Sequence, residues 1–225
     1  MKSRLSLLIN GLVKFLCGLL LVGLLIFLPA GTLRYHGGWL FVGILFIPML
    51  ILGAVLLIKA PSLLEKRLNA KEKESTQRGV VALSGLLFLA GFIVAGLDHR
   101  FGWSRVPFPV VIIAAAVLLI AYGLYAEVMR ENAYLSRTIE VQEGQAVIDT
   151  GLYAVVRHPM YAVTIWMFLA IPLVLGSWFS LLCFAHYPIL MVVRIRNEEQ
   201  VLTEGLAGYE DDKKKVKYRL IPFVW

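Results

Sequence analysis

The residues best suited to chemistry lie in the stretch 151–161, which reads GLYAVVRHPMY inside a largely apolar chain. Arg157 and His158 stand directly before Pro159, at the start of another apolar run. Proline disfavours the α region for the residue before it and is tolerated in the first turn of a helix, so we expect His158 to be extended and Pro159 to open a membrane helix. Arg157, His158 and Tyr161 then lie at the membrane–water boundary, within reach of a polar ligand. The same residues also suit a simple interfacial anchor, because Arg and Tyr are common at the ends of membrane helices.

The apolar segment 161–193 connects these residues to a second set of polar residues that begins at Arg194. For the two sets to form one site, the segment must bring its ends close together. Pro172 and the pair 176–177 interrupt it near the middle, which argues against one straight helix. We expect a tight helical hairpin that enters and returns on the same side, with arms of about 23 Å, somewhat short of the hydrocarbon thickness. Arg194, at the end of the second arm, then lies near Arg157.

Arg194 and Glu198 are four residues apart and share one face of a helix, whereas Glu199 begins to turn away. To Arg157 we assign a structural role, such as pairing with a carboxylate or a phosphate. Together these residues predict a polar pocket against lipid, suited to a substrate with a charged head and an apolar tail. They do not by themselves define a reaction, and the sequence contains no phosphate-binding, zinc-protease or nucleophile-elbow signature.

The composition predicts an integral membrane protein. Of 225 residues, 59% are hydrophobic and only 16% charged, with a mean hydropathy of +0.77. The net charge of +7 does not indicate a nucleic-acid partner, because the positive residues cluster beside the apolar runs. Cys17 and Cys183 both fall inside apolar runs without metal-ligand spacing and are expected to pack as small hydrophobic residues.

Four apolar runs long enough to cross a bilayer precede the motif, at 5–28, 39–58, 79–97 and 109–129. The first could also be a signal peptide, but no small-residue cleavage pattern follows it, so we expect a retained helix. The third is rich in small residues and is predicted to be central in the bundle. The polar segment 59–78 predicts a short helix on the membrane surface, and 194–217 a charged cytoplasmic helix.

Positive charge is distributed unevenly between the two sides of the predicted bundle. Eighteen of the 22 Lys and Arg residues fall on one side, only Arg34, Arg100 and Arg105 fall on the other, and Lys14 lies inside the first apolar run. By the positive-inside rule, both termini and the segment 130–160 are expected in the cytoplasm. We expect a multi-pass protein of a bacterial cytoplasmic membrane, with the site facing the cytoplasm and the oligomeric state open.

The pattern SRTIEVQEGQAVIDTGLYAVVRHPMY from Ser136, followed by RIRNEEQVL from Arg194 and then GYEDDKKKVKYRLIPF, resembles the isoprenylcysteine carboxyl methyltransferase family. It is also similar to the related phospholipid N-methyltransferases, which share the R-H-P-x-Y element. The resemblance covers about residues 130–225. It implies a cofactor-binding and catalytic region there, preceded by a four-helix transmembrane region at 1–129.

The resemblance implies S-adenosyl-L-methionine as methyl donor and an amphiphilic or lipidated acceptor. Arg194 matches the substrate-binding position and, with Glu198, is a candidate catalytic residue. The implied cofactor contacts are Gln145, Ala146, Val147, Ile148, Tyr153, His158, Pro159, Met160, Tyr161 and Glu198. Eukaryotic members have a histidine where this chain has Gln145, which leaves the detailed contact at that position open.

Two acceptor chemistries and one non-catalytic role remain open. A carboxylate acceptor is ionised at neutral pH and needs only a guanidinium such as Arg194 to hold it. An amine acceptor, as on a phosphatidylethanolamine headgroup, must first lose a proton, so a base such as Glu198 or Glu199 becomes necessary. In the third reading the chain is a membrane scaffold or lipid-binding bundle that binds no cofactor.

Overall fold

The computed structural model describes residues 4–68, 75–136, 139 and 141–225, without the side chains of Ser75 and Thr76. The regular secondary structure in this part of the chain is entirely helical, with one short 3-10 turn at Gly151–Ala154 and no strand. Its helices are α1 (Arg4–Ala30), α2 (His36–Lys59), α3 (Pro61–Leu68), α4 (Ser75–Phe101), α5 (Phe108–Glu131), α6 (Pro159–Val174), α7 (Trp178–Phe184), α8 (Tyr187–Gly205) and α9 (Tyr209–Lys215).

Five helical segments are long and apolar enough to cross a membrane. Four are the spans predicted from the N-terminal apolar runs, and the fifth, Trp178–Gly205, consists of α7 and α8 with a short interruption between them. The helix α6 is shorter, at 16 residues. The prediction of an all-α integral membrane protein that crosses the bilayer several times is therefore confirmed.

The small residues of α4 allow close packing in the centre of the bundle. This helix contacts α1, α6, α7 and α8. A Cβ added to Gly96 would stand 2.5 Å from the carbonyl oxygen of Ile26, and one added to Gly91 would clash with the ring of Phe184. The predicted central position of the third span is therefore confirmed, and it depends on these two glycines.

The C-terminal hairpin extends further than the sequence predicts. Its turn contacts the end of the bundle opposite the R-H-P motif. Tyr35, just before α2, donates to the carbonyl of Leu175, and Ser177 Oγ donates at 2.5 Å to Oδ2 of Asp98, near the end of α4. The first arm, α6, has 16 residues and agrees with the short arm predicted, whereas the second arm combines α7 and α8 and is longer than predicted. The hairpin thus runs the length of the bundle, and its two ends return to the motif side.

The predicted helix over 194–217 is wrong in its boundaries. Arg194 lies well inside α8, which begins at Tyr187 and ends at Gly205. Gly208 has φ +84°, a left-handed conformation that favours glycine and redirects the chain into the separate helix α9. The short helix predicted within 59–78 is present as α3, and the rest of that prediction, at 69–74, lies outside the described residues.

Candidate active-site cavity

The R-H-P element starts α6 in the way that proline chemistry predicts. His158 is non-helical, with φ −124° and ψ 59°, and Pro159 is the first residue of the helix. The backbone N–H groups of Arg157 and His158 donate to the carbonyls of Tyr218 and Arg219, both at 2.9 Å. The C-terminal segment is therefore attached to the entrance of α6.

Glu199 on α8 joins these elements through a buried ionic cluster. Its Oε1 accepts from Arg157 Nε at 2.8 Å and lies 2.7 Å from Arg157 Nη2 and 3.3 Å from His158 Nε2. Its Oε2 accepts from Arg219 Nε at 2.7 Å. Glu199 turns away from the face shared by Arg194 and Glu198, as predicted, and shares the buried face of α8 with Ile195, four residues earlier. Arg157 pairs with a carboxylate, in keeping with the structural role assigned to it.

Arg194 is fixed by two neighbours from different helices. Its Nε donates to the hydroxyl of Tyr161 at 2.9 Å, and its Nη1 donates to Gln77 Oε1 at 2.8 Å. Gln77, fully buried at the start of α4, also donates to Asn197 Oδ1 at 2.6 Å. Gln77 belongs to the segment 59–78 that was predicted to lie on the membrane surface, so this contact was not predicted. The contact exists because α4 packs against α8.

The structure brings the sequence-predicted site residues together around one cavity at the motif end of the bundle. Its walls come from the loop before the 3-10 turn, the start of α6, the middle of α8, and α9. All eleven candidates line it: Gln145, Ala146, Val147, Ile148, Tyr153, His158, Pro159, Met160, Tyr161, Arg194 and Glu198. Within the motif segment, residues 137, 138 and 140 lie outside the described part of the chain.

Tyr153 and Gln145 have fixed positions in this wall. Asn132 Nδ2 donates to the hydroxyl of Tyr153 at 3.0 Å, and burial raises the pKa of Tyr153 to about 12. The phenol therefore stays protonated at physiological pH and keeps its own hydrogen for a ligand. Gln145, at the position where the resembling eukaryotic proteins have histidine, accepts through Oε1 from the backbone of Gln142 at 2.9 Å.

Three residues that line the cavity each have one buried side-chain oxygen with no hydrogen-bond partner among the described residues. These oxygens are Glu198 Oε2, the hydroxyl of Tyr209 and Asp212 Oδ1. His158 Nδ1 lies 3.9 Å from Glu198 Oε2, beyond hydrogen-bond distance. Burial raises the pKa of both Tyr209 and Asp212. Buried polar atoms are nearly always paired, so three unpaired ones around one cavity indicate a hydrogen-bond partner from outside the chain, such as ordered water or a polar ligand.

Sequence reasoning missed Asn132 and Asp212 and gave Tyr209 no definite role. The available signal was weak: Tyr209 and Asp212 are three residues apart and share a helix face, but Asp211 and Asp212 are adjacent and chemically identical. Only the direction set by the turn at Gly208 decides which aspartate enters the cavity.

The fold and cavity define a class: an all-helical, multi-pass membrane protein with a polar site at one end of its bundle. Residues 109–207 match the family model described as phospholipid methyltransferase. The match confirms the resemblance of this segment to the isoprenylcysteine carboxyl and phospholipid methyltransferases, and it supports a membrane methyltransferase. Tyr209 and Asp212 lie beyond the matched segment.

One curated relative is also similar to only part of this chain. The uncharacterized protein YpbQ of Bacillus subtilis (strain 168) is 33% identical over 93 residues, which is 41% of this chain and 55% of YpbQ. The chain thus spans about half the length of this relative.

Proposed function

We propose that the chain is an S-adenosylmethionine-dependent methyltransferase with a lipidic acceptor. In this proposal residues 130–225 bind the cofactor and acceptor, and residues 1–129 anchor them in a cytoplasmic membrane with the cavity facing the cytoplasm. One observation carries it: of the eleven residues singled out by the methyltransferase resemblance, nine lie within 145–161 and two on α8, yet all line one cavity. Much of that cavity lies within the segment that matches the phospholipid methyltransferase family.

The residues present fit the cofactor. Val147, Ile148 and Met160 offer apolar wall for its adenosyl part and for the carbon groups around its sulfonium, while Tyr153 and Gln145 offer fixed polar groups. Glu198 Oε2, buried and unpaired, offers negative charge opposite a cationic ligand. The cofactor supplies an activated methyl carbon when bound, so the chain's task is to orient the reactants, exclude water and complement charge.

Arg194 supports a carboxylate as the acceptor. Its guanidinium lines the cavity and is oriented by Tyr161 and Gln77, so little side-chain freedom is lost when it binds an anion. A carboxylate is already ionised at neutral pH and needs no base. This agrees with Glu199, whose two oxygens are both bound by cations and which does not line the cavity.

A second candidate acceptor is an amine, and Glu198 is the residue that favours it. Its unpaired Oε2 in the cavity could take the proton that an ammonium must lose before its nitrogen attacks. Proton abstraction at Glu198 Oε2 would then precede transfer, and the rate would depend on the ionisation of that carboxyl group.

A pH–rate profile on the wild type and on Arg194→Lys separates these acceptors. Methyl transfer is followed from labelled cofactor into membrane lipid fractions. For a carboxylate, Arg194→Lys keeps the charge but loses the paired N–H geometry, so activity falls about ten-fold or more with cofactor affinity nearly unchanged and a flat profile from neutral to mildly alkaline pH.

Arg130→Lys is the matched control, because Arg130 lies on the surface beside Glu127 and should tolerate the exchange. A steep alkaline rise, with Arg194→Lys as active as the wild type, would overturn the carboxylate acceptor in favour of the amine. Absence of any cofactor binding in folded protein would instead favour a membrane scaffold.

A further inference from the structure

The helix α9 presents two of its residues to the cavity and the others to solvent. Tyr209 and Asp212 are 5% and 7% exposed, whereas the neighbouring Glu210 and Asp211 are exposed and pair with Lys213 and Lys214. The two inward residues are three apart and therefore adjacent on one helix face. Both residues line the cavity, and each has one buried oxygen with no hydrogen-bond partner among the described residues.

The positive groups near Asp212 are already paired with other carboxylates. Arg157 and His158 contact Glu199, and Lys215 lies 3.7 Å from Asp149. Asp149 itself adds negative charge near Asp212 and contributes to the raised pKa of that carboxyl group. Arg194 also lines the cavity, and it donates hydrogen bonds to the neutral side chains of Tyr161 and Gln77. Among the described residues, Glu198 and Asp212 thus bring two carboxylates to the wall that have no ion-pair partner within hydrogen-bond distance, and a cationic ligand would compensate their charge.

The number and charge of these oxygens match one common chemical group. A primary ammonium carries three N–H donors and one positive charge, and the cavity presents three unpaired oxygens, two of them from carboxylates. We propose that Glu198, Tyr209 and Asp212 form a subsite for a primary ammonium group. The subsite rests on the proposed function, since that function supplies the two sources of such a group: the amino-acid part of the cofactor, or an amine headgroup of the acceptor lipid.

The test compares ligands that differ in the amino-acid part. Purified protein in detergent is titrated with S-adenosylhomocysteine, which has the ammonium, and with 5′-methylthioadenosine, which lacks the amino-acid part. The variants are Asp212→Asn and Tyr209→Phe, and the control is Asp211→Asn, the same exchange on the exposed face of α9. A second arm measures binding of phosphatidylethanolamine and of phosphatidylglycerol in mixed micelles.

If the ammonium belongs to the cofactor, Asp212→Asn weakens S-adenosylhomocysteine by about ten-fold or more, because a charge-assisted hydrogen bond is lost. Methylthioadenosine is unaffected, Tyr209→Phe has a smaller effect of the same kind, and Asp211→Asn has none. If the ammonium belongs to the acceptor, Asp212→Asn leaves both nucleosides unchanged and weakens phosphatidylethanolamine but not phosphatidylglycerol.

Ligand-free thermal stability separates binding from folding. Asp212→Asn removes an unpaired buried carboxylate oxygen, so its melting temperature should equal or exceed that of the wild type. Equal losses for both nucleosides, or no selective loss for any ligand, would overturn the ammonium subsite while leaving the proposed function intact. A folded wild type that binds neither nucleoside contradicts the proposed function, and the phosphatidylethanolamine arm still decides the subsite.

Discussion

Two adjacent glutamates at the motif end of α8 have different surroundings. Glu199 binds Arg157 and Arg219 through separate oxygens, so it connects α6, α8 and the C-terminal segment. Glu198 lines the cavity with one oxygen unpaired. The sequence favours Glu198 for the site because it is four residues from Arg194. The ionic role of Glu199 could not be predicted, because its partners are 20 and 42 residues away along the chain.

We expect Glu199→Gln to lower the thermal stability of the ligand-free protein far more than Glu198→Gln. Removing one partner of a buried ion pair costs about 3–5 kcal/mol, and the partial exposure of Arg219 places the expected loss at the lower end. Glu198→Gln removes charge from a group without an ion-pair partner at hydrogen-bond distance and should leave the melting temperature nearly unchanged. Melting curves in one detergent measure both, and similar losses for the two variants would contradict these separate roles.

At the scale of the elements, the lengths of the apolar runs identify the membrane-spanning helices, whereas tertiary contacts determine how far the hairpin extends. The four N-terminal spans follow from apolar runs, since each run must be long enough to cross a bilayer. The hairpin could not be sized in the same way. Its turn is held by Asp98 and Tyr35, which are 79 and 140 residues from their partners Ser177 and Leu175. A proline and a glycine predict the break in the hairpin but not where the turn packs.

The close packing of α4 predicts a sharp difference between two glycine substitutions in the same helix. Gly96→Ala places a methyl group 2.5 Å from the backbone oxygen of Ile26, and this backbone cannot move without separating α1 from α4. We expect a loss of about 1–3 kcal/mol in the free energy of unfolding. Gly85→Ala is the control, because a Cβ there meets nothing within 4 Å, and higher helix propensity makes it neutral or slightly stabilising.

Thermal or denaturant unfolding in detergent measures both substitutions. A Gly96→Ala protein as stable as Gly85→Ala would show that α1 and α4 are not in backbone contact. S-adenosylmethionine binding by folded Gly96→Ala should be retained, since Gly96 does not line the cavity.

At the scale of the whole molecule, the motif sequence predicts most of the cavity wall but not the side formed by α9. The loop before α6, the start of α6 and the middle of α8 all carry motif residues. The wall from α9 depends on the left-handed turn at Gly208, which reverses a charged segment that otherwise resembles a solvated tail. Lys213 and Lys214 of this segment pair with acidic neighbours on the same helix.

The charge asymmetry and the full-length hairpin predict the membrane topology together. If α6 and the α7–α8 arm each cross the membrane, we expect six crossings, with both termini on the side rich in Lys and Arg. In a background with Cys17 and Cys183 replaced by alanine, we expect an impermeant thiol reagent to label Arg34→Cys in intact cells. Glu143→Cys should be labelled only after lysis, and the reverse pattern would place the cavity outside the cytoplasm.

The most direct test of the central claim is a calorimetric titration of the purified wild type, Glu198→Gln and Glu204→Gln with S-adenosylhomocysteine. Glu204 is exposed on the same helix and bonds only Gln200 among the described residues, so it controls for loss of charge on α8. We predict one saturable site in the wild type, unchanged affinity in Glu204→Gln and about ten-fold or weaker affinity in Glu198→Gln. Ligand at 100 times its dissociation constant should stabilise the wild type by about 2.7 kcal/mol. No binding heat and no thermal stabilisation at saturating ligand, in verified folded protein, would contradict the account.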